Sequence, residues 1–299
     1  MINPIRSEFM KFRTTHIWWI FALSTFVVTA LAFTVWSLEA HTELNAQPMQ
    51  DSTPPPGMDA EEWERIREEE NARINEARTA AELAKTAANI YTSGQFFGLM
   101  FVMVLGILLV TNEFYHQTAT ATFLTTPKRT IVIMAKLVAA VIIGFVFWLF
   151  TTVINVGAGV LFFASEEVTN SLGEWEVHRG LLLNLLAYAL WAIFGVGLGV
   201  LIRSQIGATI TATVAYTLGT FVVINILGVL YYVTDQKHEW IMQSAVFVPS
   251  LASQHMITGL ELGSDIDILP RWVGAVVLIG WALVAGVIGT LITRTRDIS

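Results

Sequence analysis

The sequence has no cysteine in its 299 residues, which excludes disulfides, thiolate metal sites and cysteine nucleophiles but does not identify a redox compartment. Charge is scarce too. Asp, Glu, Lys and Arg make up 14% of the chain against 54% apolar residues, and the mean hydropathy is +0.60. That composition belongs to an integral membrane protein. The net charge of −7 argues against nucleic acid as a partner. There is no Gly-x-x-x-x-Gly-Lys-Ser/Thr loop to cradle a nucleotide phosphate, no His-Glu-x-x-His and no Gly-x-Ser-x-Gly. The histidines His16, His41, His116, His178, His238 and His255 are scattered without metal-ligand spacing. The chain is therefore not read as an enzyme and is expected to bind no cofactor of its own.

Six apolar runs are long enough to cross a bilayer, which takes ~20 helical residues. They are Ile17 to Leu38, Ile90 to Thr111, Leu137 to Phe163, Gly180 to Ile202, Ser204 to Thr234 and Trp272 to Thr293. None contains Asp, Glu, Lys, Arg or His, so the chain lacks the buried ionisable relay of a proton-coupled pump and the catalytic pair of an intramembrane protease. The first run is too long for a secretory signal and is expected to be retained as a span. With the N-terminus inside, the inner segments hold Arg6, Lys11, Arg13, Lys128, Arg129, Lys136, Arg203, Arg294 and Arg296 against Glu8, Glu113 and Asp297, a net +6, and the outer segments carry −13. The positive side faces the cytosol. The expectation is an all-α polytopic membrane protein with six spans, N-in and C-in.

Residues 1–16 place Ile2, Ile5, Phe9 and Phe12 at spacings of three and four, with Arg6, Glu8, Lys11 and Arg13 elsewhere around the helix. This is the pattern of an amphipathic helix on the inner leaflet, with a frayed cationic tail as the alternative. Trp18 and Trp19 mark the inner interface. The first outer loop, 39–89, opens on a Pro-rich linker around Pro54, Pro55 and Pro56 and continues from Asp59 to Asn89 as a helix about 45 Å long, if straight. Trp63, Ile66, Ile74, Ala77, Ala81, Ala84 and Ala88 form its apolar stripe, interrupted at Glu70. It reads either as an arm for a partner or as a helical hairpin on its own chain. Residues 243–260 are uncharged apart from His255, but Pro249, Ser250, Ser253, Gln254, Thr258 and Gly259 make them a poor span. A re-entrant helix buried against protein fits better.

Polar residues in the spans include Thr151, Thr152, Asn155, Asn184, Tyr188, Tyr216, Thr220 and Asn225. They either line a cavity or bond between helices. Gly195, Gly197 and Gly199 permit close helix approach. Phe96, Phe97, Met100 and Met103 form an apolar, adaptable surface in the second span, suited to varied ligands or to plain packing.

Between the second and third spans, residues 112–129 form a polar and aromatic segment that must face something other than lipid. It holds Glu113, Phe114, Tyr115, His116 and Thr118, then Leu124, Pro127 and Arg129, followed by Ala135 and Lys136. This resembles the coupling helix of type-2 ABC exporter permeases, written Glu-aromatic-x-x-Gly-Thr, Leu-x-x-Pro-x-Arg and Ala-Lys, with Gln117 where that family has Gly. Phe247-Val248-Pro249-Ser250 resembles the family's Leu-Pro-Ser element, and Glu8-x-x-Lys11-x-Arg13 its N-terminal elbow helix. The resemblance covers the chain except residues 39–89.

The resemblance implies the transmembrane subunit of an exporter for a hydrophobic or amphipathic substrate, seated in a cell membrane of prokaryotic type. Its partners would be cytosolic ATPases that bind ATP and Mg, a second permease chain, identical or not, and membrane lipids. Glu113, Phe114, Tyr115, His116, Thr118, Pro127 and Arg129 would receive the ATPase. Phe96, Phe97, Met100, Met103, Tyr216, Thr220 and Asn225 would line the pathway, with Phe247, Val248 and Pro249 as its outer gate. The alternative is a membrane scaffold or sensor whose outer helix recruits a partner.

Overall fold

The computed structural model describes residues 6–8, 10–11, 17–49, 54–118, 129–202, 204–235, 237–259 and 269–295. Its helices are α1 (Ile17–Leu44), α2 (Ala60–Ala77), α3 (Ala80–Tyr91), α4 (Gln95–Tyr115), α5 (Arg129–Ser165), α6 (Trp175–Leu201), α7 (Gln205–Val214), α8 (Thr220–Val233), α9 (Glu239–Gln243), α10 (Pro249–Ile257) and α11 (Trp272–Thr295). Residues 6–8 and 10–11 are helical as well. Helices suit this composition because lipid offers no partner to an unpaired backbone group.

The chain is organised around α4, which is apolar on every side and buried on nearly every side, including Leu99, Met103 and all of Val102 to Thr111. A helix of that kind belongs inside a bundle. Its closest neighbour is α6. A Cβ at Gly106 would lie 2.5 Å from the Ala192 carbonyl oxygen, and one at Gly195 would collide with that of Met103. On the other face of α6, a Cβ at Gly197 would lie 2.8 Å from Ala285 on α11. Small residues let these backbones meet where the hydrophobic effect cannot drive them together. α1, α8 and α11 instead turn long apolar faces outward, among them Leu31, Val35, Phe221, Val229, Leu283 and Val287.

Five stretches are long and apolar enough to cross a membrane: Trp18–Leu44, Ala80–Tyr115, Thr130–Ser165, Trp175–Leu201 and Gln205–Val233. The sixth expected run lies in α11, where the qualifying apolar stretch Trp272–Ile288 is shorter. The contacts at the ends of the first four stretches make them alternate in direction. Glu8, Glu113 and Lys136 meet at one end of the bundle. At the other, His41 meets Glu166, Tyr91 meets Asn170, and Arg271 meets Glu176.

Two expected continuous helices are interrupted. The helix expected from Asp59 to Asn89 is α2 and α3, parted at Arg78 and Thr79, where the Thr79 hydroxyl accepts the Glu82 N–H at 3.3 Å. Such a cap starts a new helix rather than extending the old one. α2 lies back on its own chain, with Asn71 bonded to both the N–H and the carbonyl of Met49. α3 is no part of a solvated arm, since Leu83, Ala84, Ala87, Ala88, Ile90 and Tyr91 are buried. It meets α4 at Gly94, whose φ of 76° suits glycine, and a Cβ there would lie 2.8 Å from the Thr29 Cα.

The fifth run is broken by a π-turn over Ala215–Gly219, the kind of bulge that recurs at functional sites. Among the described residues, 243–259 form no helix long enough to span. A single 3-10 turn, Ser244–Phe247, precedes α10, whose Ser250 to Ser253 and His255 to Ile257 are buried.

Candidate functional site

The polar segment after the second span begins with a helix ending. α4 closes in a Schellman arrangement: the Thr118 N–H donates to the Glu113 carbonyl at 2.9 Å and the Gln117 N–H to that of Phe114 at 3.3 Å. Gln117 therefore holds a φ of 55°, the left-handed conformation that glycine takes most freely. The turn leaves Tyr115, His116, Gln117 and Thr118 exposed. Tyr115 is 65% accessible, and its ring stands edge-on to His116 with centroids 5.0 Å apart.

Glu113 points the other way, into the bundle. The Lys11 ammonium donates to it at 2.6 Å, and Lys136 lies 3.1 Å away. Glu8, one helical turn before Lys11, accepts from both lysines at 3.0 Å. Lys136 also donates to the Leu109 carbonyl at 2.8 Å. Two carboxylates and two ammoniums thus close a neutral ring joining the N-terminal helical segment, the last turn of α4 and the start of α5. The side chains of Glu8, Glu113 and Lys136 are each only 6% exposed. A lone charge so buried would be costly, whereas a bridged and hydrogen-bonded one is tolerated. Partial burial works against the Lys11 charge, but the Glu113 and Glu8 carboxylates hold its pKa above the ordinary lysine value. Glu113, expected from the sequence to face an ATPase, is engaged by its own chain, and among the described residues of the segment it is the aromatic turn beyond it that is presented outward. Phe114 packs at the edge of the core. Arg129 opens α5, while Leu124, Pro127 and Lys128, like Ile2, Ile5, Phe9 and Phe12, lie outside the described residues.

A second feature is an apolar cavity of about 200 Å³ between α4, α6, α7, the π-turn and α10. Met103, Tyr216, Val248 and Pro249, expected at the pathway or gate, line it. Phe96 stands behind Tyr216, whose hydroxyl donates to the Phe96 carbonyl at 2.7 Å. Phe97 packs edge-on to Phe96, Met100 is buried in the core, and Thr220 is bonded to Ser250. Asn225 donates to the Phe221 carbonyl of its own helix and faces away. Phe247 is exposed, and its carbonyl accepts the Trp281 indole N–H at 3.1 Å. Sequence reasoning missed the long wall made by Trp191, Phe194 and Leu198 of α6 and Ile202 just past its end. The signal was there: these residues recur at three- and four-residue steps beside the glycines that bring α6 onto α4.

The fold and these contacts define an all-helical, multi-pass membrane protein. Residues 71–299 match the family described as Protein of unknown function (DUF2705), and the chain belongs to that family. A comparison with curated proteins gives no match.

Proposed function

We propose that this chain is the transmembrane permease subunit of an ATP-driven exporter of hydrophobic or amphipathic molecules. The observation that carries the reading is the pairing of a rigid base with an exposed tip. The ring of Glu8, Lys11, Glu113 and Lys136 ties three elements together at one end of the bundle, and immediately beyond it Tyr115, His116 and Thr118 are exposed. A motor that closes in the cytosol needs a stiff, surface-exposed lever to move the spans, and a helix end pinned in this way is one. The aromatic turn seats in a groove of a separate ATPase, which supplies ATP and Mg. Two such six-span chains, N-in and C-in in the cell membrane, form the pathway between them. α10 with the turn before it closes the outer end of that pathway.

The test is purification of the chain from its native cell with its associated proteins retained. A co-purifying ATPase with a Walker loop is expected, and Tyr115→Ala with His116→Ala should abolish substrate-stimulated ATP hydrolysis. If no such ATPase accompanies the chain, it is not an exporter subunit and a scaffold role takes its place. Orientation is checked separately. A cysteine introduced at Ser299 should stay unlabelled by an impermeant maleimide in intact cells, and labelling would reverse the assignment of sides.

A further inference from the structure

We infer that the cavity between α4, α6, α7 and α10 is a binding slot for the hydrocarbon chain of an amphiphile, entered sideways from the bilayer. Its floor is sealed: Met103 is 1% and Trp191 2% exposed, and Tyr216 and Ser250 are also buried. Its rim is open at Thr211 and Ala215 of α7 and the π-turn. The surface around that rim is apolar, with Ile210, Val214 and Leu218 all exposed. A mouth in such a belt faces acyl chains rather than water.

The chemistry of the walls selects what enters. The Trp191 indole N–H is used by Ser253 Oγ at 2.7 Å, the Tyr216 hydroxyl by the Phe96 carbonyl at 2.7 Å, and the Ser250 hydroxyl by Thr220. These polar groups are engaged within the protein, so a charged or strongly hydrogen-bonding headgroup would be desolvated there without compensation. The apolar remainder, Phe194, Leu198, Ile202, Ala212 and Val248, suits methylenes. Along α6, Trp191 to Leu201 extends roughly 15 Å at helical rise, with Ile202 just beyond the helix end, an elongated shape. The volume of about 200 Å³ exceeds the ~150 Å³ at which an apolar cavity already takes up benzene. Left empty, such a space forfeits dispersion contacts that a hydrocarbon chain would restore. The inference requires neither an ATPase nor transport, and it stands if the exporter reading fails.

A bilayer lipid and a free amphiphile share this chemistry, and two photoprobes separate them. The purified chain in lipid nanodiscs is irradiated either with palmitic acid carrying a mid-chain diazirine or with phosphatidylcholine carrying the same acyl chain, and labelled residues are mapped by mass spectrometry. Labelling of Met103 or Trp191 is expected, because lipid surrounding the protein cannot touch them. Palmitic acid alone reaching these residues would mark a free amphiphile as the ligand. Phosphatidylcholine alone would mark a chain of the bilayer itself, and labelling by both would mean that the slot reads the chain only. Ala215→Phe at the open rim should reduce floor labelling at least about tenfold with an unchanged melting temperature, and Ala212→Phe should do so from within. Label confined to outward positions such as Leu31 and Val35, or floor label insensitive to both substitutions, would overturn the inference.

Discussion

Lys136 and Glu8 are 128 positions apart in sequence, yet their charged groups meet at 3.0 Å in a place closed to solvent. The contact ties the start of the chain to the base of α5 and leaves no room for either partner to be lost alone. Lys136→Met should therefore be among the most damaging substitutions in the protein. It leaves two carboxylates in the ring with Lys11 as their remaining cation, and breaking a buried pair in this way costs ~3–5 kcal/mol. Lys11→Met should cost less, since its side chain is 42% exposed and solvent screens what remains. Replacing Glu8 and Glu113 with Gln in the Lys136→Met background should recover much of the loss. Thermal unfolding of the four proteins in one detergent decides the matter, and equal losses for Lys136→Met and Lys11→Met would contradict the ring.

Tyr115 and His116 should behave in the opposite way. Both are exposed, so Ala at either position is expected within ±0.5 kcal/mol of the parent in stability. If the turn receives an ATPase, the same substitutions abolish coupling. A clear drop in melting temperature would instead assign these side chains to packing.

Gln117 occupies a left-handed position that closes the Schellman turn. Gln117→Gly should keep the turn and raise stability by up to ~1 kcal/mol, part of the gain being offset by the greater freedom of glycine in the unfolded chain. Gln117→Val should lower it, because a β-branched residue fits that conformation poorly. Equal stability of the two variants would show that the turn is not held as described.

Gly195 lies where a side chain would meet the Met103 carbonyl. Gly195→Val should push α4 and α6 apart and cost ~1–3 kcal/mol or more through overpacking. Gly280, with no neighbour within 4 Å of its Cβ position, is the control, and Gly280→Ala should be neutral or better. The comparison fails if both substitutions destabilise alike.

At the opposite end of the bundle, a hydrogen bond from His41 holds the Glu166 carboxyl below its ordinary value of 4.5, against a smaller opposing effect of desolvation and with help from Asn45. The sign follows from proton binding. Above 4.5 the carboxylate is charged in both folded and unfolded chains and the contact contributes fully. As pH falls through the folded pKa the contribution is lost. Glu166→Gln should thus melt below the parent at neutral pH, with the gap closing as pH falls below 4.5. A gap that persists in acid would rule out this titration as its source.

How far the sequence could be read depended on how far apart the deciding residues were. The break at Thr79 was legible in principle, because Thr79-x-x-Glu82 is a local capping signature, although the Ala-rich run on both sides favoured one long helix. Five of the six expected spans and the polar segment at residues 112–118 were legible from composition alone. The inward direction of Glu113 was not. It depends on Lys11, 102 positions earlier, and nothing local in Asn112 to Thr118 distinguishes a side chain aimed at a partner protein from one aimed at its own N-terminus. The α6 wall of the cavity was hidden differently. An apolar stripe in a membrane helix looks the same facing lipid or facing a void, and only α10, tucked back against α6, turns Trp191, Phe194 and Leu198 into the side of a slot.

The ring of Glu8, Lys11, Glu113 and Lys136 also separates two moments in the life of the chain. If the N-terminus lies in the cytosol as proposed, Lys11 and Lys136 help retain their segments on that side while the spans are being inserted, a rule in which acidic residues count for little. Once the bundle closes, Glu8 and Glu113 neutralise these two lysines. Topology and assembly thus draw on the same lysines in succession. Glu8→Gln should leave every span in place while weakening the joint that those lysines later form.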